Sequence, residues 1–424
     1  MKKATLILIS ILLALFAFTA CNNSIDYIID DQPTDPMYMP LTLEFTKDGE
    51  FWIDYSPTYE TNFIGNVEYS KNGGEREVAA DGVHIQVFTG DKICLYRDFG
   101  VRSSAPPMNI NCSAESECYV YGNVMSLIDS DDFATADEVH ATLLGLFSGN
   151  EHISNHPTID IILPATTLAE GCYSAMFYGC TGLTRAPELP ATTLAEGCYS
   201  YMFYGCTSLT TAPVLPAETL TNHCYLFMFA SCTSLTTAPE LPAETLAYRC
   251  YYGMFQGCTS LTTAPELPAT QLAEGCYYSM FSGCTSLTTA PVLPATSLSK
   301  SCYAFMFKGC TGLTSAPELP ATQLAEGCYA DMFFGCTSLE TAPELPATTL
   351  AKDCYDSMFY GCTSLNSITC LATDISAPLC ILDWMNNAGS AVASTKTFYR
   401  NPDATSIWTV GGNIPSTWTL EVAP

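Results

Sequence analysis

Eight cysteines fall at residues 172, 198, 224, 250, 276, 302, 328 and 354, and eight more at 180, 206, 232, 258, 284, 310, 336 and 362, always 26 residues apart. A period held over eight copies without insertion or deletion leaves a chain little choice. Each copy contacts mainly its neighbours, so the copies must stack. One copy is Leu189 to Val214, LPATTLAEGCYSYMFYGCTSLTTAPV, and the array runs over 163–370. No copy buries enough apolar surface alone, and stacking supplies a continuous core.

Within a copy, Cys198, Met202 and Cys206 are spaced i, i+4, i+8, with Tyr199 and Phe203 beside them. This spacing predicts a short helix, which Gly205 would end. Leu209, Ala212 and Leu215 then recur at spacing three, among Pro213 and Pro216. Proline removes ladder donors, so only a short strand or extended stretch is expected there. Upstream, Leu146-Phe147-Ser148-Gly149-Asn150 matches Met-Phe-x-Gly-Cys with Asn150 in the cysteine's place, as a degenerate capping turn would.

The motif Met-Phe-x-Gly-Cys-Thr-Ser-Leu at this period, behind a lipoprotein-type leader, resembles the BspA-like leucine-rich repeat surface proteins of gut and oral bacteria. The resemblance implies an α/β solenoid. It would be a right-handed leucine-rich-repeat-type coil of eight 26-residue units with short strands and short helices. A small antiparallel β-sandwich-like domain would precede it. The family is implicated in adhesion to host matrix proteins and other cells, and that function is what the resemblance implies here.

The remaining chain divides around the array. Residues 1–20 read as a lipoprotein signal peptide: Lys2 and Lys3, an apolar run, then Ala20 before Cys21, the expected lipidation site. Residues 21–37 read as a tether. Residues 38–122 alternate apolar and polar between turn signals and predict a small β domain. Residues 123–162 are expected to be a helical linker and N-terminal cap, and 371–424, with three of the four Trp, a C-terminal cap. No later apolar run is long enough to span a bilayer, so membrane contact is expected only through the lipid anchor, at the cell surface, facing outward from the outer membrane.

Twenty-two cysteines either cross-link a fold or fill its core. On a helix, two cysteines eight apart are about 12 Å apart along the axis, beyond the roughly 7 Å a disulfide allows between Cα atoms. Equivalent cysteines on packed helices would be about 8–10 Å apart. Buried thiol columns are therefore expected, with pairing between the first cysteine of one copy and the second of the next left open. Among Cys94, Cys112, Cys118, Cys370 and Cys380, the pair Cys112 and Cys118 is the most plausible local bridge. No CxxC spacing suggests zinc.

The net charge of −28, with no basic stretch, argues against nucleic acid as a partner. No phosphate loop, HExxH or nucleophile elbow appears, so no enzyme, metal or cofactor is expected. His152 and His156 read as cap residues, and Asp129, Asp131 and Asp132 as surface charge. Two array features could bind. Glu188, Glu240, Glu266, Glu318 and Glu344 share one position, interrupted by Val214 and Val292. They would face a basic partner, or simply protect a sheet edge. Tyr201, Phe227, Tyr252, Tyr278 and Phe305 vary between copies, near Tyr178, Tyr204, Phe334 and Tyr360. They suit protein or sugar contacts, or packing between helices. The function expected is an adhesin-like surface lipoprotein whose solenoid binds host or bacterial surface proteins. A glycan-capture lipoprotein and a structural spacer are the alternatives.

Overall fold

A computed structural model describes residues 35–55, 67–97, 107–136, 138–139 and 143–424. The expected leader, Cys21 and His140 lie outside these residues.

The array is a coil, but its Cys-to-Cys segment is not a helix. Among the described residues the only helical pieces are two single 3-10 turns, Pro36–Tyr38 and Val124–Leu127. The segment is instead a run of linked turns. In the first copy Cys172, Ser174, Met176, Tyr178 and Cys180 donate their N–H to the carbonyl three residues back. The amides between them, Tyr173, Ala175, Phe177 and Gly179, donate to Cys198, Ser200, Met202 and Tyr204, each 25 residues ahead in the next coil. Gly171, Ala175 and Gly179 take positive φ of 60°, 51° and 69°, one left-handed residue in every four. Two residues point in and two point out per turn. Cys172, Tyr173, Met176, Phe177 and Cys180 are all 0–1% exposed.

The helix expectation fails for a geometric reason. A stripe at i, i+1, i+4, i+5 and i+8 fits a four-residue turn repeat as well as a 3.6-residue helix. Helices side by side need about 8–10 Å, whereas hydrogen-bonded extended chains sit about 4.8 Å apart. The turn run is thin enough for every coil to bond directly to the next. The stacked Phe177-to-Phe359 column reflects this closeness, with ring centroids 5.6–5.8 Å apart, well inside the distance between packed helices. The large separation inferred between equivalent cysteines falls with the helices.

The thiols are nonetheless free and buried. Each second-column thiol has a defined partner. Cys206 Sγ donates to the Phe177 carbonyl of the preceding coil at 3.0 Å, and that oxygen also accepts the Cys180 amide at 3.1 Å. The same bond recurs at Cys232, Cys258, Cys284, Cys310, Cys336 and Cys362. Asn150, in the cysteine's place one coil upstream, donates its amide to the Ile110 carbonyl at 3.0 Å. The position thus calls for a small buried donor.

On the opposite side Leu189, Ala191 and Leu194 turn inward. There the coils are joined by single parallel bridges, such as Arg185 to Thr211 to Thr237 to Thr263, because the prolines lack donors.

Strands proper form mainly outside the array. In the N-terminal part, β1 (Leu41–Lys47), β2 (Gly49–Tyr55), β3 (Glu68–Lys71), β4 (Arg76–Val78), β5 (Ile85–Val87), β6 (Lys92–Tyr96), β7 (Met108–Cys112) and β8 (Glu117–Asn123) build two sheets. One is ordered β5-β2-β7 and the other contains β8-β1-β6-β3-β4. They meet through Phe45 and Phe51, whose centroids are 6.1 Å apart. Short β9 (Glu138–Val139), β10 (Ile153–Asn155), β11 (Ile161–Ile162) and β12 (Thr167–Leu168) follow, and β10 and β11 pair in parallel with β8. The stretch expected to be a helical linker is therefore strand and turn. Residues 143–149 make the same turn run, with Leu143, Gly145, Phe147 and Gly149 donating into the first copy.

At the end of the array and beyond it, β13 (Thr341–Leu345), β14 (Ser367–Cys370), β15 (Thr397–Arg400) and β16 (Thr419–Val422) form a parallel sheet. Ser367-Ile368-Thr369-Cys370 carries no proline and can donate at every residue. Trp384, Trp408 and Trp418 close this end, 2–3% exposed. Their indole N–H groups donate to the carbonyls of Asn413, Ala372 and Ala388.

Two outcomes follow from this packing. Gly205 has φ 72° and an added Cβ would meet only Gly179 atoms at 3.7–3.8 Å, so Gly205→Ala should lose about 1 kcal/mol in denaturant unfolding from backbone strain. Burial pushes the Cys198 and Cys206 thiols up from 9.0 to about 12. The unfolded chain then binds fewer protons between these values, so stability is intact below pH 9 and falls as pH rises toward 12. Each such thiol contributes up to about 1.4 kcal/mol per pH unit. A denaturant midpoint that stays flat from pH 8 to 11 would contradict this.

Candidate functional site

Residues on the outward positions of the turn run are free of the core's demands. Tyr201, Phe227 and Phe305 occupy the left-handed middle position, at φ 57°, 51° and 59°. Tyr252 and Tyr278 sit one residue earlier in their coils. The structure joins all five into one ladder. Tyr201 stacks on Phe227 at 5.3 Å, Phe227 meets Tyr252 edge-on at 5.2 Å, Tyr252 stacks on Tyr278 at 4.4 Å, and Tyr278 leans on Phe305 at 5.0 Å. Gly253 explains the one-residue step. A Cβ there would lie 2.2 Å from the Phe227 ring, so the ring lies over a glycine and the next aromatic comes from Tyr252.

The second aromatic position continues the same strip. Tyr178 stacks on Tyr204 at 4.9 Å, and Tyr204 touches Tyr201 at 6.0 Å. At the other end Phe334 stacks on Tyr360 at 4.7 Å. Lys308 fills the gap, with Nζ 4.7 Å from the Phe305 centroid and 4.3 Å from that of Phe334. Asp331 pairs with it at 3.3 Å, and burial raises this carboxyl's pKa while Lys308 opposes the shift. Arg249 lies over Tyr248 and Tyr252 at 4.9 and 5.4 Å. Lys308 was missed from the sequence, although it replaces an aromatic at the position of Tyr204, Phe334 and Tyr360, which is a readable signal. The strip is mostly half-buried, with Tyr178 39% exposed. Packing between helices does not describe it, because the coils are not helical.

The glutamates lie on the proline side. Glu188, Glu240, Glu266, Glu318 and Glu344 are all exposed, and the interrupting Val214 and Val292 are 76% and 78% exposed. Glu240 and Glu266 line a shallow groove of about 420 Å³ with Pro239, Pro242, Pro265 and Pro268. Every coil here is followed by another, so the column runs along a face and protects no sheet edge. The structure does not bring it to the aromatic strip, since glutamates and strip belong to separate segments of each coil.

Other sequence candidates have local roles. His156 Nδ1 accepts the Thr158 and Ile159 amides at 3.2 and 3.1 Å, and its ring packs on Tyr121 at 4.9 Å. Burial lowers its pKa. His152, the other expected cap residue, sits just before β10. Asp129 Oδ1 accepts the amides of Asp131 and Asp132 and so caps a turn. Among the described residues, no group of three or more His, Cys, Asp or Glu could hold a metal ion.

The profile of the BspA type leucine-rich repeat region, with six copies, matches residues 161–288, 229–341 and 276–377, which together cover just over half of the chain. The chain belongs to the BspA-type leucine-rich repeat family. In this member the second cysteine of each copy serves as a hydrogen-bond donor to the preceding coil, and the outer positions are left to the aromatic strip. No curated protein and no solved structure matched the chain.

The Lys308 contact can be measured. A double-mutant cycle between Lys308→Met and Phe305→Leu should give a coupling of about 0.5–1 kcal/mol in unfolding free energy. The cycle of Lys352→Met with the same Phe305→Leu should give none.

Proposed function

We propose that the protein is a lipid-anchored, non-catalytic surface protein that binds protein partners, adhesin-like, through the strip from Tyr178 to Tyr360. The carrying observation is the strip's continuity. Aromatics at positions the repeated core does not use touch one another across the array, with Lys308 bridging the gap. Stacked pairs such as Tyr252–Tyr278 at 9° and Phe334–Tyr360 at 2° use their faces on each other. Ring edges and hydroxyls remain for a partner, which suits a polypeptide better than a sugar ring that seeks an aromatic face. The exposed glutamates and the net charge of −28 favour partners with basic surfaces and would quicken encounter. Export and anchoring rest on the leader and Cys21, and the family resemblance supports both.

The test is capture of host matrix and cell-surface proteins by the chain from residue 21 onward. Tyr201→Ser, Tyr252→Ser, Tyr278→Ser and Phe305→Ser combined should weaken the recovered interaction at least tenfold at unchanged circular dichroism. Replacing the five column glutamates by Gln should mainly reduce its salt dependence. Undiminished binding by the aromatic variant would refute the proposal.

One observation favours glycan capture as a second reading. Trp52 on β2 stacks on His84 at 4.2 Å and is fixed by Asp54 at 3.1 Å, beside Asn111, Glu50 and Gln86. It is half-buried where the other three Trp are buried. A glycan array hit whose titration quenches fluorescence in the wild type but not in Trp52→Phe would establish this reading.

A further inference from the structure

Two cysteines outside the array face each other. Cys112 ends β7 and Cys118 follows Glu117 at the start of β8, and their Sγ atoms are 3.7 Å apart in the interior. We propose that Cys112 and Cys118 form an oxidation site that closes to a disulfide on meeting a disulfide oxidant, while the sixteen thiols of the two array columns stay reduced.

The surroundings favour closure here. A disulfide holds its sulfurs about 2.0 Å apart, within reach of small side-chain rotations from the observed contact. The connecting turn already holds the two strands together, with the Ser116 amide and hydroxyl donating to the Ser113 carbonyl at 3.0 and 2.8 Å. Cys112 pairs in register with Phe51 of β2, and Cys118 with Phe45 of β1, so the bond would clamp the two sheets at their common corner. That corner supports the array, because Asn150 donates to the Ile110 carbonyl and to Cys112 Sγ, and β10 pairs with β8.

The array thiols differ in what oxidation would remove. Each second-column thiol gives its hydrogen to a phenylalanine carbonyl of the preceding coil, a buried bond that an S–S link would delete. Cys112 Sγ instead accepts from Asn150 at 3.5 Å, and a disulfide sulfur can still accept. The two kinds of thiol also ionise differently. Burial pushes Cys206 up to about 12, whereas the hydrogen bond from Cys118 lowers Cys112.

The step balances in two exchanges. The Cys112 thiolate attacks one sulfur of the oxidant's disulfide, and the other leaves as a thiolate. Cys118 then loses its proton, attacks the Cys112 sulfur and expels the second thiol. Two protein thiols lose two hydrogens, and the oxidant's disulfide becomes two thiols.

The experiment incubates the folded chain with glutathione disulfide, denatures it with excess iodoacetamide, and maps peptides by mass. The expected result is an unalkylated 112–118 peptide two hydrogens lighter than its dithiol form, with every array cysteine alkylated. In Cys118→Ala the exchange should stop at a glutathione adduct on Cys112. Full alkylation of Cys112 and Cys118 in the wild type would overturn the proposal, as would bridges among array cysteines. If the variant does not fold, the wild-type map decides alone.

Discussion

The structure depends on one hydrogen-bonding constraint. In the Cys-to-Cys segment every second amide must find its acceptor in the next coil, while the intervening amides close local turns. Backbone polar groups buried at the core's edge have to be paired, and this alternation pairs them in both directions. It also fixes the separation between coils at that of hydrogen-bonded chains. Everything inside then stacks on its own copy. Phenylalanine lies on phenylalanine, tyrosine on tyrosine, and thiols align in columns.

The same constraint decides where variation is tolerated. The inward residues of each turn have a neighbour of identical shape above and below, so a change disturbs two interfaces at once. The outward pair of each turn meets only its lateral neighbours. That freedom holds the aromatic strip, whose members shift register at Gly253 without disturbing the core. The proline side is free in another way. Its coils are joined mostly by isolated bridges, leaving glutamates and valines exposed along a face. Chain ends need a different solution, because a terminal coil has no partner. At one end β8 pairs with β10 and Asn150 reaches Ile110; at the other, three tryptophans cover the last turn.

Much of this was legible from the residues. The period, the stacking and the capping turn at 146–150 all follow from spacing; the thiol columns were expected, but on helical distances that the turn run replaces. The turn run was not, because Cys198, Tyr199, Met202, Phe203 and Cys206 make one stripe under a helix of 3.6 residues or a turn repeat of four. The missed clue was Gly197 with Gly205, eight apart, two multiples of four and a poor placement inside a helix. In the candidate site, the aromatic residues were visible as a set but their order was not. Tyr252 and Tyr278 are offset by one residue from Phe227, and only the space above Gly253 shows why they belong to one ladder. Lys308 was hidden by its type: a lysine among aromatics reads as a gap until its ammonium is seen over two rings.

The most direct test of the coil is to observe its hydrogen bonds. Scalar couplings across N–H···O=C bonds, read by NMR on deuterated protein, should connect the Tyr199 amide to the Cys224 carbonyl and the Phe203 amide to the Met228 carbonyl, each 25 residues ahead. Couplings from these amides to carbonyls four residues back would instead mark an α-helix, and would contradict the account.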